Sequence, residues 1–164
     1  MAIIKLNNQS ISSVTALPAG VGGKVLQVVT ATDETERSAT SSSYVTGSNN
    51  LSISITPSST SSKIYVTSTF EAGTSNMGGA TAWFTLYRNS TNLGASSEGL
   101  SRMFISGLSG QTGIFNQTLQ VLDSPSSTSS LVYQVYMKGD GGSHITYINK
   151  NSVKGTITAF EIAG

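Results

Sequence analysis

Asn50–Phe70 reads NLSISITPSSTSSKIYVTSTF, and its alternation decides the fold class. Leu51, Ile53 and Ile55 alternate with Ser52, Ser54 and Thr56; Ile64, Val66 and Phe70 then alternate with Tyr65, Thr67 and Thr69. A period of two places each apolar set on one face of a pleated ribbon and leaves hydroxyls on the other. Between the two sets stands Pro57-Ser58-Ser59-Thr60-Ser61-Ser62. Proline cannot donate to a central ladder, and serine and threonine hydroxyls satisfy the backbone locally, so this segment turns. Gly47-Ser48-Asn49 leads into it, and the stretch reads as an opening hairpin. The same six letters return at Pro125–Ser130, followed by Leu131-Val132-Tyr133-Gln134-Val135-Tyr136. One turn-plus-strand device is used twice.

Outward from that stretch the chain is made of the same material. Upstream, Lys24–Thr30 is a strand, Asp33–Arg37 a charged loop, and Ala39–Val45 a polar extended segment. Downstream, Gly73–Gly79 is a long loop, and Ala80–Asn89 sets Ala82, Phe84 and Leu86 on one face against Trp83 and Tyr87 on the other. Ser90-Thr91-Asn92 is a tight turn with a return strand from Leu93. Leu100–Ile105, Gln111–Leu122, Leu131–Lys138, His144–Ile148 and Gly155–Ala163 follow as strands. That is about ten short strands at intervals near 8–12 residues, and no window carries a capped helical stripe. The expected fold is all-β, a two-sheet antiparallel sandwich of the jelly-roll kind. Residues 1–22 form an N-terminal arm and residues 23–164 the sandwich domain, separated by the hinge-like Leu17–Gly23. In the final strand Phe160 and Ile162 share one face, and Ile157 and Ala159 share the other. A strand apolar on both faces is covered on both. One cover is the core, and the other is expected to be a second subunit, so Ile157, Ala159, Phe160 and Ile162 are candidate interface residues.

Composition limits the chemistry. Charged residues make up 10% of the 164, against roughly 25% in an ordinary domain. The net charge of +1 lacks a nucleic-acid footprint. No run of the sequence approaches membrane-spanning length. With no cysteine there is no disulfide, thiol nucleophile or thiolate metal site. His144 is the single histidine. It stands beside Gly139-Asp140-Gly141-Gly142, and its plain reading is a strand-edge imidazole. No GxSxG elbow gives a serine nucleophile context. Asp33, Glu34, Glu36 and Asp140 lack the regular ligand spacing of a calcium loop. No cofactor is implied and no catalytic constellation emerges; a glycan-degrading enzyme is disfavoured because paired carboxylates are missing. Trp83, Tyr87, Tyr136 and Tyr147 are the aromatics able to stack on a sugar, with packing as the plainer alternative. A low-charge surface is poorly protected against self-association, so sheet edges are expected to be buried in an oligomer.

Several segments, in this order, carry a family resemblance: Ile11–Gly20, Gly23–Val29, Ile55–Ile64, Leu122–Pro125 and Ile157–Ala163. The chain resembles virion structural and tail-fibre-like proteins of tailed bacteriophages, particularly those of marine bacteria and cyanobacteria. The resemblance implies a compact jelly roll similar to the trimeric heads of complement and tumour-necrosis-factor-like proteins, with the C-terminal strand near the three-fold axis. The implied role is a non-enzymatic knob or fibre tip on the virion surface, made in the host cytoplasm without a signal peptide and attaching to host-surface glycan. The alternative is a capsid or tail decoration protein with no receptor-binding role. The arm, through Ile3, Ile4, Leu6 and Ile11, is expected to anchor the homotrimer to other virion proteins, with neither nucleic acid nor membrane insertion involved.

Overall fold

A computed structural model describes residues 24–164 except 49, 76, 77, 108 and 143. The arm residues Ile3, Ile4, Leu6 and Ile11 lie outside the described residues. Among the described residues twelve strands follow in order: β1 (Val25–Asp33), β2 (Arg37–Ala39), β3 (Val45–Thr46), β4 (Ser52–Ile55), β5 (Lys63–Thr74), β6 (Ala80–Arg88), β7 (Thr91–Asn92), β8 (Ser101–Ile105), β9 (Gly113–Asp123), β10 (Leu131–Gly139), β11 (Thr146–Ile148) and β12 (Gly155–Ile162). They form two antiparallel sheets packed as a sandwich. In sheet A, β9 flanks one side of β5, and β12 and β11 share the other, backed by β1 and β2. In sheet B, β6 and β10 are central, with β7 and β8 outside β6 and β3 and β4 outside β10.

The core lies between the sheets, where alternation places it. Sheet A contributes Ile64, Val66, Phe70, Ala72, Leu119, Ile157 and Ala159; sheet B contributes Ile53, Ile55, Ala82, Phe84, Leu86, Tyr133, Val135 and Met137. Phe70 and Phe84 meet edge to face across the gap, ring centres 5.6 Å apart. Each large side chain so buried is worth about 1.5–3 kcal/mol.

The opening hairpin is not formed. β4 pairs with β10 in sheet B, whereas β5 pairs with β9, β11 and β12 in sheet A. The first PSSTSS segment therefore carries the chain from one sheet to the other, and the second does the same between β9 and β10. The two crossings are neighbours. Ile55 pairs with Leu131 on one side of them, and Ile64 with Asp123 on the other. Residues 56–62 and 124–130, seven in each case, are the two strands of a single ribbon where it bends between sheets. A hairpin would have put the apolar faces of its strands side by side; a crossing lets them face each other through the core.

Other differences are local. β5 continues to Thr74, two residues into the expected loop, because β11 and β9 both pair with its last residues. Of the segment expected at Ala39–Val45 only the ends are strand, Ala39 closing β2 and Val45 opening β3, in different sheets.

Each crossing is pinned by a carboxylate, fully buried at the first and partly buried at the second. Glu161, 1% exposed, points inward from β12. It accepts hydrogen bonds from the backbone N–H and hydroxyl of Ser58 (2.7 and 2.6 Å) and from Gln27 Nε2 (2.6 Å). Burial alone would raise its pKa, but the donors of Ser58 and Gln27, with the dipole of the nearby buried Ser62 hydroxyl, outweigh it and bring the pKa down to about 2. At the second crossing Asp123 accepts from Arg88 Nη1 at 2.8 Å to each oxygen and from the Tyr133 hydroxyl at 2.6 Å. Tyr133 is fully buried, and burial together with donation to Asp123 raises its pKa well above the ordinary value.

Because the Glu161 carboxyl is more acidic folded than unfolded, its contribution is fully present above about pH 4.5 and is lost as pH falls toward about 2. The contribution is roughly 3 kcal/mol. Denaturant titrations of wild type and Glu161→Gln across pH 6 to 2 should show wild type the more stable at the upper end and the difference closing below about pH 4. A difference that stays constant over that range would mean that Glu161 does not carry the charge inside the fold.

Candidate functional site

The outward face of sheet B carries the candidate site. β6 and β10 run antiparallel with Lys138 opposite Trp83, Tyr136 opposite Thr85 and Gln134 opposite Tyr87. With Ala82, Phe84, Leu86, Tyr133, Val135 and Met137 committed to the core, alternation turns Trp83, Tyr87, Gln134, Tyr136 and Lys138 outward. Tyr87 and Tyr136 stack at 4.0 Å between ring centres. Tyr44, from the segment before β3, meets Tyr87 edge to face at 6.2 Å. Lys138 Nζ sits over both the Tyr44 and Trp83 rings, 4.9 Å from each centre. Trp83 Nε1 donates to Glu98 at 2.9 Å, and Glu98 also lies 3.6 Å from Arg102. The result is an ammonium held between two aromatic faces, a stacked tyrosine pair beside it, and an acid–base pair at its rim.

Sequence reasoning named three of these residues, Trp83, Tyr87 and Tyr136, and missed Tyr44 and Lys138. Tyr44 sits in a serine-rich irregular stretch where no alternation points to a face. Tyr147, also named, is placed elsewhere: it belongs to β11 in sheet A, where Lys150 Nζ lies 4.2 Å from its ring centre.

The loop that follows β7 braces the patch. Gly99 has φ +66°, and its bare Cα lies under the Tyr44 hydroxyl. That hydroxyl is buried and has no hydrogen-bond partner among the described residues. Burial, then the neighbouring Tyr87 and Glu98, push the Tyr44 pKa up to about 12, so it stays protonated and able to donate.

The remaining named residues fall into structural roles. His144 Nδ1 lies 2.9 Å from both oxygens of Asp140, and Asp140 Oδ2 in turn accepts the Thr81 N–H at 3.0 Å. This ties the β10–β11 turn to β6. Among the described residues no hydroxyl is hydrogen-bonded to His144 to complete a nucleophilic triad. Asp33 is buried and accepts from Ser48, Thr35 and Asn50; burial raises its pKa, these bonds lower it, and the net direction is down. Glu34 pairs with Lys154 and Glu36 with Lys150. Among the described residues no group of three or more histidine and carboxylate side chains could hold a metal ion.

The four candidate interface residues divide. Ile157 and Ala159 are fully buried in the chain's own core, so they have nothing left to offer a second subunit. Phe160 and Ile162 point outward from sheet A. Phe160 lies in a row across four strands, Val28–Phe160–Tyr65–Leu122, set by the strand registers. Val28 and Leu122 are each 54% exposed, and Tyr65 and Phe160 rings pack at 6.1 Å.

A Cβ at Gly99 would stand 2.4 Å from the Tyr44 oxygen and 2.7 Å from the Phe84 carbonyl oxygen. Gly99→Ala should therefore cost about 1–3 kcal/mol, from strain and from displacing Tyr44. Urea unfolding measures the cost, and tyrosine fluorescence reports the displacement. Tyr44→Phe removes one of the two clashes and should recover part of the loss in the double variant; equal stability of wild type and Gly99→Ala would mean that the loop does not brace the patch.

No protein-family model matches the chain, and no curated protein does. Among solved structures it is similar to a chain in the structure of infectious bursal disease virus Gx strain, at 12% identity over 98% of this chain and 42% of that one, TM-score 0.39. It is also similar to a chain in a crystal structure of the viral particle of the same virus, at 13% identity over 100% of this chain and 40% of that one, TM-score 0.41. The chain thus spans about two fifths of the length of these viral chains. At such scores the likeness decides nothing about the role of this chain.

Proposed function

We propose that the chain is a non-enzymatic structural protein of a tailed-bacteriophage virion, a trimeric knob or fibre tip whose sheet-B face contacts host-surface glycan. The observation that carries the binding role is Lys138 held between Trp83 and Tyr44 beside the stacked Tyr87–Tyr136 pair. Sugars offer apolar C–H faces, which stack on aromatic rings, and hydroxyls, which need donors and acceptors within the same few ångströms. The exposed Glu98, whose Oε2 takes the Trp83 N–H, offers its other oxygen as an acceptor, and the Lys138 ammonium is a donor at the patch. Tyrosine and tryptophan also lose little conformational entropy on binding, which suits a preformed surface. The phage setting and the number three rest on the ordered sequence resemblance. The trimer draws its support from the Val28–Phe160–Tyr65–Leu122 row, an apolar band that isolated monomers would leave in water.

Calorimetric titration of the purified protein with bacterial lipopolysaccharide and capsular polysaccharide tests the binding role. Trp83→Ala should weaken binding about tenfold, equivalent to about 1.4 kcal/mol, with the melting temperature held because Trp83 is outside the core. Absence of binding by wild type, or equal binding by the variant, would leave the decoration role, which needs only the sheet-A band.

Light scattering tests assembly separately. The expected mass is a multiple of three chains of 17.0 kDa. Phe160→Asp should lower the mass while the chain stays folded, because Phe160 faces outward and is only partly buried within one chain. An unaltered mass in that variant would remove the sheet-A band from the interface.

A further inference from the structure

β9 is an edge strand without the usual protection. Its 11 residues, GIFNQTLQVLD, pair with β5 along their whole length without a register shift. Among the described residues nothing pairs with its other edge. Natural sheets blunt such edges with lysine, proline, bulges or short length. β9 has no lysine, arginine or proline, and its one charge, Asp123, is taken by Arg88. The opposite edge strand, β1, is shorter and carries an irregularity between Val25 and Gln27. β9 also exposes two large apolar side chains, Phe115 at 48% and Leu122 at 54%. Phe115 lines a groove of about 400 Å³ with Met103, Phe104 and Ile105, where the β8 and β9 edges of the two sheets part.

We infer that β9 pairs antiparallel with β9 of a second copy across a two-fold axis at Thr118, so that sheet A continues from one chain into the next. A two-fold axis normal to a sheet keeps each residue on its own face, so directly opposed residues must share parity. Thr118 is the midpoint of Gly113–Asp123, and an axis there uses the full strand. It sets Leu122 against Ile114 of the partner subunit and Phe115 against Val121 of the partner subunit. Asn116 meets Gln120 of the partner subunit, and Thr118 meets its own copy. Both exposed apolar side chains thereby gain apolar neighbours on the correct face, and the groove beside Phe115 is extended by Val121 of the partner subunit. Moving the axis to Leu119 would set Phe115 against Asp123 of the partner subunit and Leu122 against Asn116 of the partner subunit. Moving it to Gln117 would set Phe115 against Leu119 of the partner subunit but Ile114 against Gln120 of the partner subunit, and would leave Leu122 beyond the paired strand. The sequence of β9 is self-complementary about Thr118 and about neither neighbour. This pairing uses the edge of sheet A, whereas the proposed trimer uses its outer face; Leu122 stands at the border of the two, and either can hold without the other.

The natural absence of cysteine makes the register directly measurable. Asn116, Thr118 and Gln120 are all exposed on one face of β9, so single cysteines there should leave the fold intact. Opposed Cα atoms in an antiparallel pair lie about 4.5–5.5 Å apart, within disulfide range. Under mild oxidation Thr118→Cys should give at least about ten times more covalent dimer than Asn116→Cys or Gln120→Cys, whose own copies would be four residues away, about 13 Å. The double variant Asn116→Cys/Gln120→Cys should restore cross-linking. Equal yields at all positions, or no dimer at any, would overturn the pairing. As a second measurement, Thr118→Lys sets two ammonium groups against each other across the axis, and light scattering should show its mass halved relative to wild type with secondary structure kept. An unaltered mass would also overturn it.

Discussion

The sandwich depends on one constraint: a two-stranded ribbon has to bend from one sheet to the other without leaving its backbone unsatisfied. β4 and β5 form one strand of that ribbon and β10 and β9 the other. At the bend both strands lose their ladder partners over residues 56–62 and 124–130. Each unpaired backbone group left in a dry place would cost about 1–3 kcal/mol. Serine and threonine hydroxyls resolve this locally: Ser59 Oγ accepts from Ser61 N–H, and Ser127 Oγ accepts from Ser129 N–H. The recurrence of PSSTSS follows from geometry. The two segments have equal length and similar letters because they lie next to each other and solve the same problem.

A chain with so few charges spends some of them inside. Glu161, Asp33 and Asp123 all sit where the ribbon or its flanks must be fixed, and two of the three are held by neutral donors. Glu161 has serine and glutamine around it, and Asp33 has serine, threonine and asparagine. A carboxylate surrounded by N–H and O–H groups keeps its charge in a low-dielectric site when enough donors converge. A cation would do the same, but Lys or Arg needs a long stem and a wet tip. Short polar donors fit between the layers. The hydroxyl-rich composition is therefore a means of building polar joints, as well as a hydrated surface without charge.

Most of the sandwich was legible from period-two alternation, since Ala82, Phe84 and Leu86 or Ile64, Val66 and Phe70 can face only one way once one of them is buried. Pairing partners were not legible. A strand–turn–strand segment reads alike whether the turn closes a hairpin or crosses between sheets, because alternation is a property of one strand and pairing is a property of two. The extension of β5 to Thr74 escaped for the same reason: Gly73 and Thr74 have poor strand character alone and are held by β9 and β11. The site was legible in part. Trp83, Tyr87 and Tyr136 lie on strong strands, so their outward direction followed from the core residues between them. Tyr44 and Lys138 became part of the patch through tertiary approach, which no spacing encodes. The final strand taught a further point. Two apolar faces implied two covers, and one of those covers was the chain's own core, which removes Ile157 and Ala159 from any surface.

The sandwich leaves its surfaces sorted by character. The outward face of sheet B holds aromatic rings around an ammonium; the outward face of sheet A holds an aliphatic and aromatic band with rows of threonine beside it. Thr30 and Thr158 hydroxyls are 3.0 Å apart there, and those of Thr69 and Thr118 are 3.2 Å apart. These faces are separated by the whole thickness of the core, so a substitution on one need not disturb the other. That separation follows from the bent ribbon. Because β5 and β9 lie in one sheet while β4 and β10 lie in the other, the stretch of chain that supplies the band and the stretch that supplies the rings are joined covalently through the corners yet face opposite directions. A protein that must be held on one side and touch something on the other is well served by that arrangement, and the corners, rather than either face, are what maintain it.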